Sequence, residues 1–162
     1  MTNVSSSNGL EKHPKLRFPG FDEPWKEKTL SHYLVENTDR NKKLIFGKED
    51  VLSVSGEYGI VNQIAFQGRS FAGESVADYH VVETGDIVYT KSPLKANPYG
   101  IIKANKGVPG IVSTLYAVYH PSTTVIPKFV DLYFSNDFRL NKFLKPLVNI
   151  CLLYTSDAAD DL

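Results

Sequence analysis

Residues 85–119 constrain the fold of this chain more than any other part of its sequence. The pair Gly85-Asp86 is typical of a tight turn, and residues 87–90 (IVYT) that follow have high β propensity. Residues 110–119 (GIVSTLYAVY) form a second apolar run of the same kind. A polar stretch separates the two runs. This order predicts two strands of a sheet that present a long loop between them.

The predicted loop is basic and free of acid. No acidic residue occurs between Asp86 and Asp131, although five lysines do. Lysine side chains can bind phosphate groups, whereas Asn and Ser can bind base edges or the nucleic-acid backbone and Tyr can stack on a base. A loop of this composition on a rigid strand pair is a candidate site for a polyanion, and a solvated lysine-rich connector is the alternative. The candidate residues are Lys91, Ser92, Lys95, Asn97, Tyr99, Lys103 and Lys106.

Bulk properties predict one globular domain. The chain has 162 residues, long enough to bury a core, with 42% hydrophobic and 22% charged residues. No apolar run is long enough to cross a bilayer, and the first residues lack the apolar core of a signal peptide, so we expect a cytoplasmic protein. The single cysteine, Cys151, excludes an internal disulfide and a cysteine-based metal cluster.

The last twelve residues, 151–162 (CLLYTSDAADDL), are expected to be foreign to the protein. The first ten match the translation of TGT CTC TTA TAC ACA TCT GAC GCT GCC GAC, a transposase adapter used in sequencing. We therefore expect native sequence to end near Ile150, with a natural acidic tail as the alternative. Different synonymous codons in the gene would refute this expectation. Residues 1–150 carry all 18 Lys and Arg but 15 of the 18 acids, a formal charge of +3.

The N-terminal part is expected to hold little regular structure. Residues 1–14 are rich in Ser, Asn, Gly and Lys, and we expect them to be disordered before a domain that spans residues 15–150. Prolines in residues 14–25 forbid a helix, so this segment is expected to pack on the domain as an extended arm. The side chains expected to be buried there are Leu16, Phe18, Phe21 and Trp25.

The following residues predict short elements. Apolar residues at helical spacing predict a helix over residues 28–35, and polar residues 36–43 predict a loop. Alternation with glycines over residues 51–61 predicts a bent strand, and residues 68–73 a flexible connector. Ser75 and Asp78 have the spacing of a capping box, which predicts one helical turn before a strand at residues 80–82.

The C-terminal part is predicted to be helical from residue 126 to residue 147. Apolar residues recur there at spacings of three and four, with a possible break at Ser135-Asn136. Strands followed by helices predict an α+β fold, mixed, with a mainly antiparallel twisted sheet and flanking helices.

No catalytic pattern stands out in the sequence. The four histidines, at positions 13, 32, 80 and 120, are too isolated to predict a zinc site. A glycine-rich phosphate loop and a Gly-x-Ser-x-Gly elbow are both missing. Asn97-Pro98-Tyr99 resembles the Asn-Pro-Pro-Tyr motif of adenine-N6 methyltransferases, but the second proline and a glycine-rich cofactor turn are missing. A Pro-aromatic turn at a hairpin tip is the simpler interpretation.

Three patterns, in order, resemble the target recognition domain of a type I restriction-modification specificity subunit. The first is residues 14–21 (PKLRFPGF) followed by residues 25–28 (WKEK). The second is residues 85–89 (GDIVY) with Lys91-Ser92 and residues 98–100 (PYG). The third is residues 107–116 (GVPGIVSTLY) with an aromatic-rich helix behind it. Together they cover residues 14 to about 148.

The resemblance implies a non-catalytic subunit that chooses the DNA sequence. Members of this family typically carry two such domains, each reading half of a split double-stranded target, with long spacer helices between them. Modification subunits bind S-adenosylmethionine and methylate adenine, and restriction subunits use ATP and Mg. The chain itself would need no cofactor and no metal, and it would be the first recognition domain without its spacer helix.

The resemblance also suggests a role for each candidate residue. The lysines of the loop would contact phosphate or guanine, and Ser92, Asn97 and Tyr99 would contact bases or backbone. Tyr58 and Arg69 are weaker candidates for DNA contact. Two other functions stay open: a small S-adenosylmethionine-dependent methyltransferase-like enzyme, and a protein-interaction module whose basic loop binds an acidic partner.

Overall fold

Pairing between distant segments organises this chain, whose computed structural model describes residues 16, 18–24, 26–90 and 98–147. The chain divides into two units, residues 1–30 and residues 31–162. Eight strands and three α-helices lie in the described part of the second unit. They confirm the predicted α+β fold with mainly antiparallel pairing.

The described part of the first unit forms a turn with exposed apolar side chains. The amide of Phe21 donates to the carbonyl of Phe18 at 3.1 Å. The side chains of Leu16, Phe18 and Phe21 are 92%, 80% and 70% exposed, so the prediction that they are buried is wrong. Prolines in this stretch remove the backbone donors that a sheet ladder would need. Trp25 and residues 1–14 lie outside the described residues.

The largest sheet has four strands, in the order β1-β8-β5-β6. Every neighbouring pair is antiparallel, with Val88 of β5 opposite Val118 of β8 and Lys103 of β6. β1 comes from the N-terminal side and lies at one edge beside β8, so the sheet joins segments more than 80 residues apart. The strand ranges are Leu34–Asn37 (β1), Ile87–Thr90 (β5), Ile102–Ala104 (β6) and Tyr116–Pro121 (β8).

Two smaller antiparallel pairs complete the strands of the described residues. β2 (Leu52–Ser55) and β3 (Gly59–Asn62) form a hairpin, in which Gly59 has a φ of 77°. β4 (His80–Val82) pairs with β7 (Gly110–Val112). Glycine at position 110 allows β7 to lie close to the backbone of Asp50, because a Cβ there would lie 2.5 Å from the carbonyl oxygen of Asp50.

One apolar cluster connects the three sheets. Each member comes from a different strand and is almost completely buried, so five strands share one core. A second buried cluster consists of Val51, Val76 and Ile111. The members of the first cluster are Leu52, Val82, Val88, Val112 and Val118.

The helices have clear sequence signals. α1 (Gln63–Gln67) begins at Asn62, whose side chain accepts from the amide of Ala65, and ends at Gly68 in the left-handed conformation. α2 (Pro127–Phe134) has proline at its first position, and it packs against β6 and β5. α3 (Asp137–Leu144) begins at Asn136, whose side chain accepts from the amide of Arg139. The predicted break at residues 135–136 is confirmed.

Several local predictions are wrong, and each failure has a tertiary cause. The predicted helix over residues 28–35 is a 3-10 turn at Leu30–His32 followed by β1, because β8 supplies backbone partners for this segment. The predicted strand over residues 110–119 is two strands, β7 and β8, separated by a turn in which the backbone amide of Tyr116 donates to the carbonyl of Ser113.

Two further predictions concern turns and loops. Ser75 accepts from the amide of Ala77, but the segment forms a turn rather than a helix. Part of the predicted loop over residues 91–106 is β6, and α1 was missed because its five residues are too few for a periodic pattern.

Candidate nucleic-acid interface

The sequence segment that carries most of the candidate residues is flanked by a hydrogen-bonded pair of residues, Thr90 and Ile101. Thr90 and Ile101 exchange backbone contacts, with the amide of Thr90 donating to the carbonyl of Ile101 at 2.9 Å. The hydroxyl of Thr90 in turn accepts from the amide of Ile101 at 2.7 Å. Both residues are buried. The two ends of the loop are therefore held at a fixed separation.

Gly100 is required at this junction. Its φ is 91°, and a Cβ there would overlap the carbonyl oxygen of Thr90 and press on the ring of Tyr89. Only glycine combines this backbone conformation with so close an approach. The glycine of the Pro98-Tyr99-Gly100 pattern therefore has a structural reason that the sequence alone did not supply.

Tyr99 is partly buried at the loop base. Its carbonyl oxygen accepts a hydrogen bond from the hydroxyl of Tyr89 at 3.1 Å. Burial raises the pKa of Tyr89, so its hydroxyl keeps its proton and remains a donor over the physiological range. The candidates Lys91, Ser92, Lys95 and Asn97 lie outside the described residues.

Lys103 and Lys106 converge on one buried carboxylate of α2. The Nζ atom of Lys106 lies 2.5 Å from Oδ2 of Asp131, and that of Lys103 lies 4.0 Å from Oδ1. The Asp131 side chain is only 5% exposed. Lys103 also donates to the hydroxyl of Ser135 at 3.0 Å, and that hydroxyl donates to the carbonyl of Asp131. The cluster ties β6 and the following loop to α2.

The two lysines differ in their access to solvent. The side chain of Lys103 is 13% exposed and that of Lys106 is 67% exposed. Lys103 therefore acts as an internal tie, because reaching an external anion would break its bond to Ser135. Lys106 contacts Asp131 while most of its side chain remains exposed to solvent. Two lysines against one carboxylate leave a charge of +1 at this position.

Tyr58 and Arg69 lie on a different part of the second unit, the β2–β3 hairpin and the segment after α1. The ring of Tyr58 lies 5.4 Å from that of Phe66, centroid to centroid. The guanidinium carbon of Arg69 lies 4.5 Å from the ring centroid of Phe71, within cation–π distance. The structure thus brings Lys103 and Lys106 together and places Tyr58 and Arg69 on other elements.

A histidine–aspartate pair was missed by sequence reasoning. Asp86 is buried, accepts from the amide of Glu83 at 2.8 Å, and lies 2.6 Å from Nδ1 of His120. His120 is 41% exposed, so its imidazole reaches the surface while the carboxylate holds its orientation. No local pattern could reveal the pair, because 34 residues separate its members.

Neither a metal-binding cluster nor a membrane-spanning helix occurs in the described residues. No three His, Cys, Asp or Glu side chains lie close enough there to hold a metal ion. None of the helices in the described ranges is long and apolar enough to cross a membrane.

Comparisons with known proteins leave the chain unassigned to a family. No family model, curated protein or solved structure matches it significantly.

Proposed function

We propose that this chain is the DNA-reading part of a type I restriction-modification specificity subunit. It would direct adenine methylation and restriction by partner subunits and catalyse neither reaction. The observation that carries the proposal is the hydrogen-bonded pair Thr90–Ile101, which flanks an acid-free sequence, residues 91–99, that contains Lys, Asn, Ser and Tyr. Binding loops held by a rigid scaffold are a common arrangement for recognition.

In the proposed binding, one set of residues positions the domain on DNA and another set reads the base sequence. Lys91 and Lys95 would contact phosphates and fix the position of the domain on duplex DNA. Ser92, Asn97 and Tyr99 would contact base edges or sugar-phosphate backbone, which is where sequence preference arises. Lys106, whose side chain is mostly exposed, would add a phosphate contact at the rim. We assign Lys103 to holding the scaffold, because it is nearly buried against α2.

Cofactor chemistry would belong entirely to the partners. S-adenosylmethionine would serve the modification subunits, and ATP with Mg the restriction subunits. In this proposal the residues of the present chain only bind and orient duplex DNA.

The first test measures DNA binding and its salt dependence. Fluorescence polarisation with a labelled random-sequence duplex compares the protein with the Lys91→Ala/Lys95→Ala variant. The variant is expected to bind more weakly and to lower the slope of log K against log salt by about 1.8, since each phosphate contact contributes about 0.9. Lys43→Ala/Lys48→Ala is the matched control, because it removes the same charge from exposed lysines elsewhere. Equal effects of both variants would refute a specific role of the loop.

The second test asks whether the chain reads sequence. Repeated selection from a randomised duplex library should enrich one short motif, and Asn97→Ala should weaken or change it. A protein that binds every duplex equally would have lysine contacts without base contacts. That result would contradict the specificity function.

A further inference from the structure

The C-terminal helices expose an unusually apolar surface, here called the helical face. Phe129, Leu132 and Tyr133 lie at i, i+3 and i+4 on α2, so they share one side of that helix. All three are exposed, although side chains of this size are normally buried. Three more exposed apolar side chains come from α3 and the residues after it. The members of the helical face are Phe129, Leu132, Tyr133, Phe138, Phe143 and Leu147.

Ring contacts connect much of this surface. The ring of Phe129 lies 6.3 Å from that of Tyr133, centroid to centroid. Tyr133 contacts the buried Phe134 at 5.1 Å, and Phe134 contacts Phe143 of α3 at 5.4 Å. Three of the four exposed aromatic side chains of the two helices, those of Phe129, Tyr133 and Phe143, are thus linked through the buried ring of Phe134. Connected apolar patches on a surface commonly mark places where another protein binds.

The charges around the helical face have one dominant sign. Two acidic residues occur in residues 126–147, and Asp131 is buried against lysines. Asp137 at the first turn of α3 is the other acid, and it is exposed. Arg139 lies directly over the helical face, with its guanidinium carbon 4.9 Å from the ring centroid of Tyr133. The exposed cations are Lys128, Arg139, Lys142 and Lys145.

We propose that the helical face docks an acidic amphipathic helix of a partner protein. The apolar side of the partner would cover Phe129, Leu132 and Phe143, and its carboxylates would meet the surrounding cations. A second copy of this chain fits less well, because pairing two identical faces would bring like charges together. The aliphatic Leu132 and Leu147 favour protein over nucleic acid, since bases stack on rings. This inference does not rest on the proposed DNA function.

Designed peptides test the predicted chemistry. The probe is a helical peptide of about 18 residues, five turns, with Leu on one face and Glu beside it. A second peptide carries Lys in place of every Glu, and a third has the Glu peptide's composition in scrambled order. We expect the Glu peptide to bind at least tenfold more tightly than the other two in fluorescence anisotropy. Equal binding of the Glu and Lys peptides, or no binding of either, would overturn the proposal.

Surface variants locate the binding. Leu132→Asp should weaken binding of the Glu peptide at least tenfold. Ile45→Asp places the same charge at an exposed aliphatic residue elsewhere and should leave the affinity unchanged. Lys128→Glu/Lys142→Glu should reverse the preference toward the Lys peptide. Circular dichroism confirms that each variant is folded.

Two other occupants are distinguishable in the same set. If Leu132→Asp abolishes single-stranded DNA binding and leaves peptide binding intact, the helical face is a nucleic-acid surface. If the protein is a dimer by sedimentation and Leu132→Asp makes it a monomer, the face binds a second copy. Either result would overturn the proposal.

Discussion

The ammonium group of Lys106 lies 2.5 Å from the carboxylate of Asp131, on a helix that begins 21 residues later. Asp131 is almost completely buried, whereas Lys106 is mostly exposed. The pair therefore shows how an apparently free loop lysine becomes part of the scaffold. It also links the stability of α2 to residues that sequence reasoning assigned to a ligand.

Replacing Asp131 should therefore destabilise the fold. Asp131→Asn removes the charge of a nearly buried carboxylate that lies 2.5 Å from Lys106 and 4.0 Å from Lys103, and removing one partner of such a buried polar group costs about 1–3 kcal/mol. The amide can still form hydrogen bonds, so we expect the lower end of that range in urea unfolding. Asp78→Asn is the control: Asp78 pairs with Lys42 on the surface, and its loss should not change stability measurably. Equal effects of the two substitutions would contradict the structural role of Asp131.

Gly100→Ala should cost more stability than Gly68→Ala. Both glycines have positive φ, which costs an alanine about 1–2 kcal/mol. At Gly68 a Cβ would meet open space, but at Gly100 it would overlap the carbonyl of Thr90. Thermal unfolding of the two variants separates the conformational cost from the steric one. An equal decrease in the melting temperatures of the two variants would contradict the close approach of Gly100 to the carbonyl of Thr90.

Ile111→Ala tests the core that joins β7 to Val51 and Val76. Ile111 is fully buried, and truncation of such a side chain costs about 2–5 kcal/mol. Ile45→Ala is the same substitution at a side chain that is 76% exposed, and it should change the free energy of unfolding by less than about 0.5 kcal/mol. Similar values for the two isoleucines in denaturant titrations would refute the assigned core.

Alkaline pH should destabilise the domain through three partly buried tyrosines. Burial raises the pKa of Tyr89, Tyr116 and Tyr119 above the ordinary value of 10.0, so the folded state holds these protons more strongly than the unfolded chain. Their contribution is complete below pH 10 and is lost as pH rises through the folded values. Ultraviolet titration should show a group of tyrosines that ionise above the ordinary pKa, and Tyr116→Phe should reduce the number of tyrosines in that group. A single transition near the ordinary pKa would contradict the burial.

Local patterns predicted the elements whose stability is local. The helical spacing over residues 126–147, with its break before Asn136, corresponds to α2 and α3, because proline and an Asn cap mark their starts. The turn before Ile87 was also predictable from Gly85-Asp86: Gly85 takes a positive φ, and the backbone amide of Asp86 donates to the carbonyl of Glu83. Both signals act within a few residues.

The candidate site was predictable only in outline. The acid-free stretch after Asp86 is visible in the sequence, but the partners of its lysines are not. Asp131 lies 28 residues from Lys103, and only the packing of α2 on β6 brings the two together. The Asp86–His120 pair has the same origin, because it requires the turn before β5 to lie beside the end of β8.

The sequence by itself determined the class of fold and the two C-terminal helices, whereas the basic loop over residues 91–97 stays a prediction because these residues lie outside the described ranges. The fold class and the helices follow from residue preferences and spacings that act over one or two turns of chain. Tertiary structure decided that residues 34–37 form a strand, that residues 110–119 divide between two sheets, and that Lys103 and Lys106 bind Asp131. The hydrogen-bond partners of a strand are in the segment that lies beside it, and the partner of a buried charge is likewise in a neighbouring segment. Those neighbours exist only once the chain has folded.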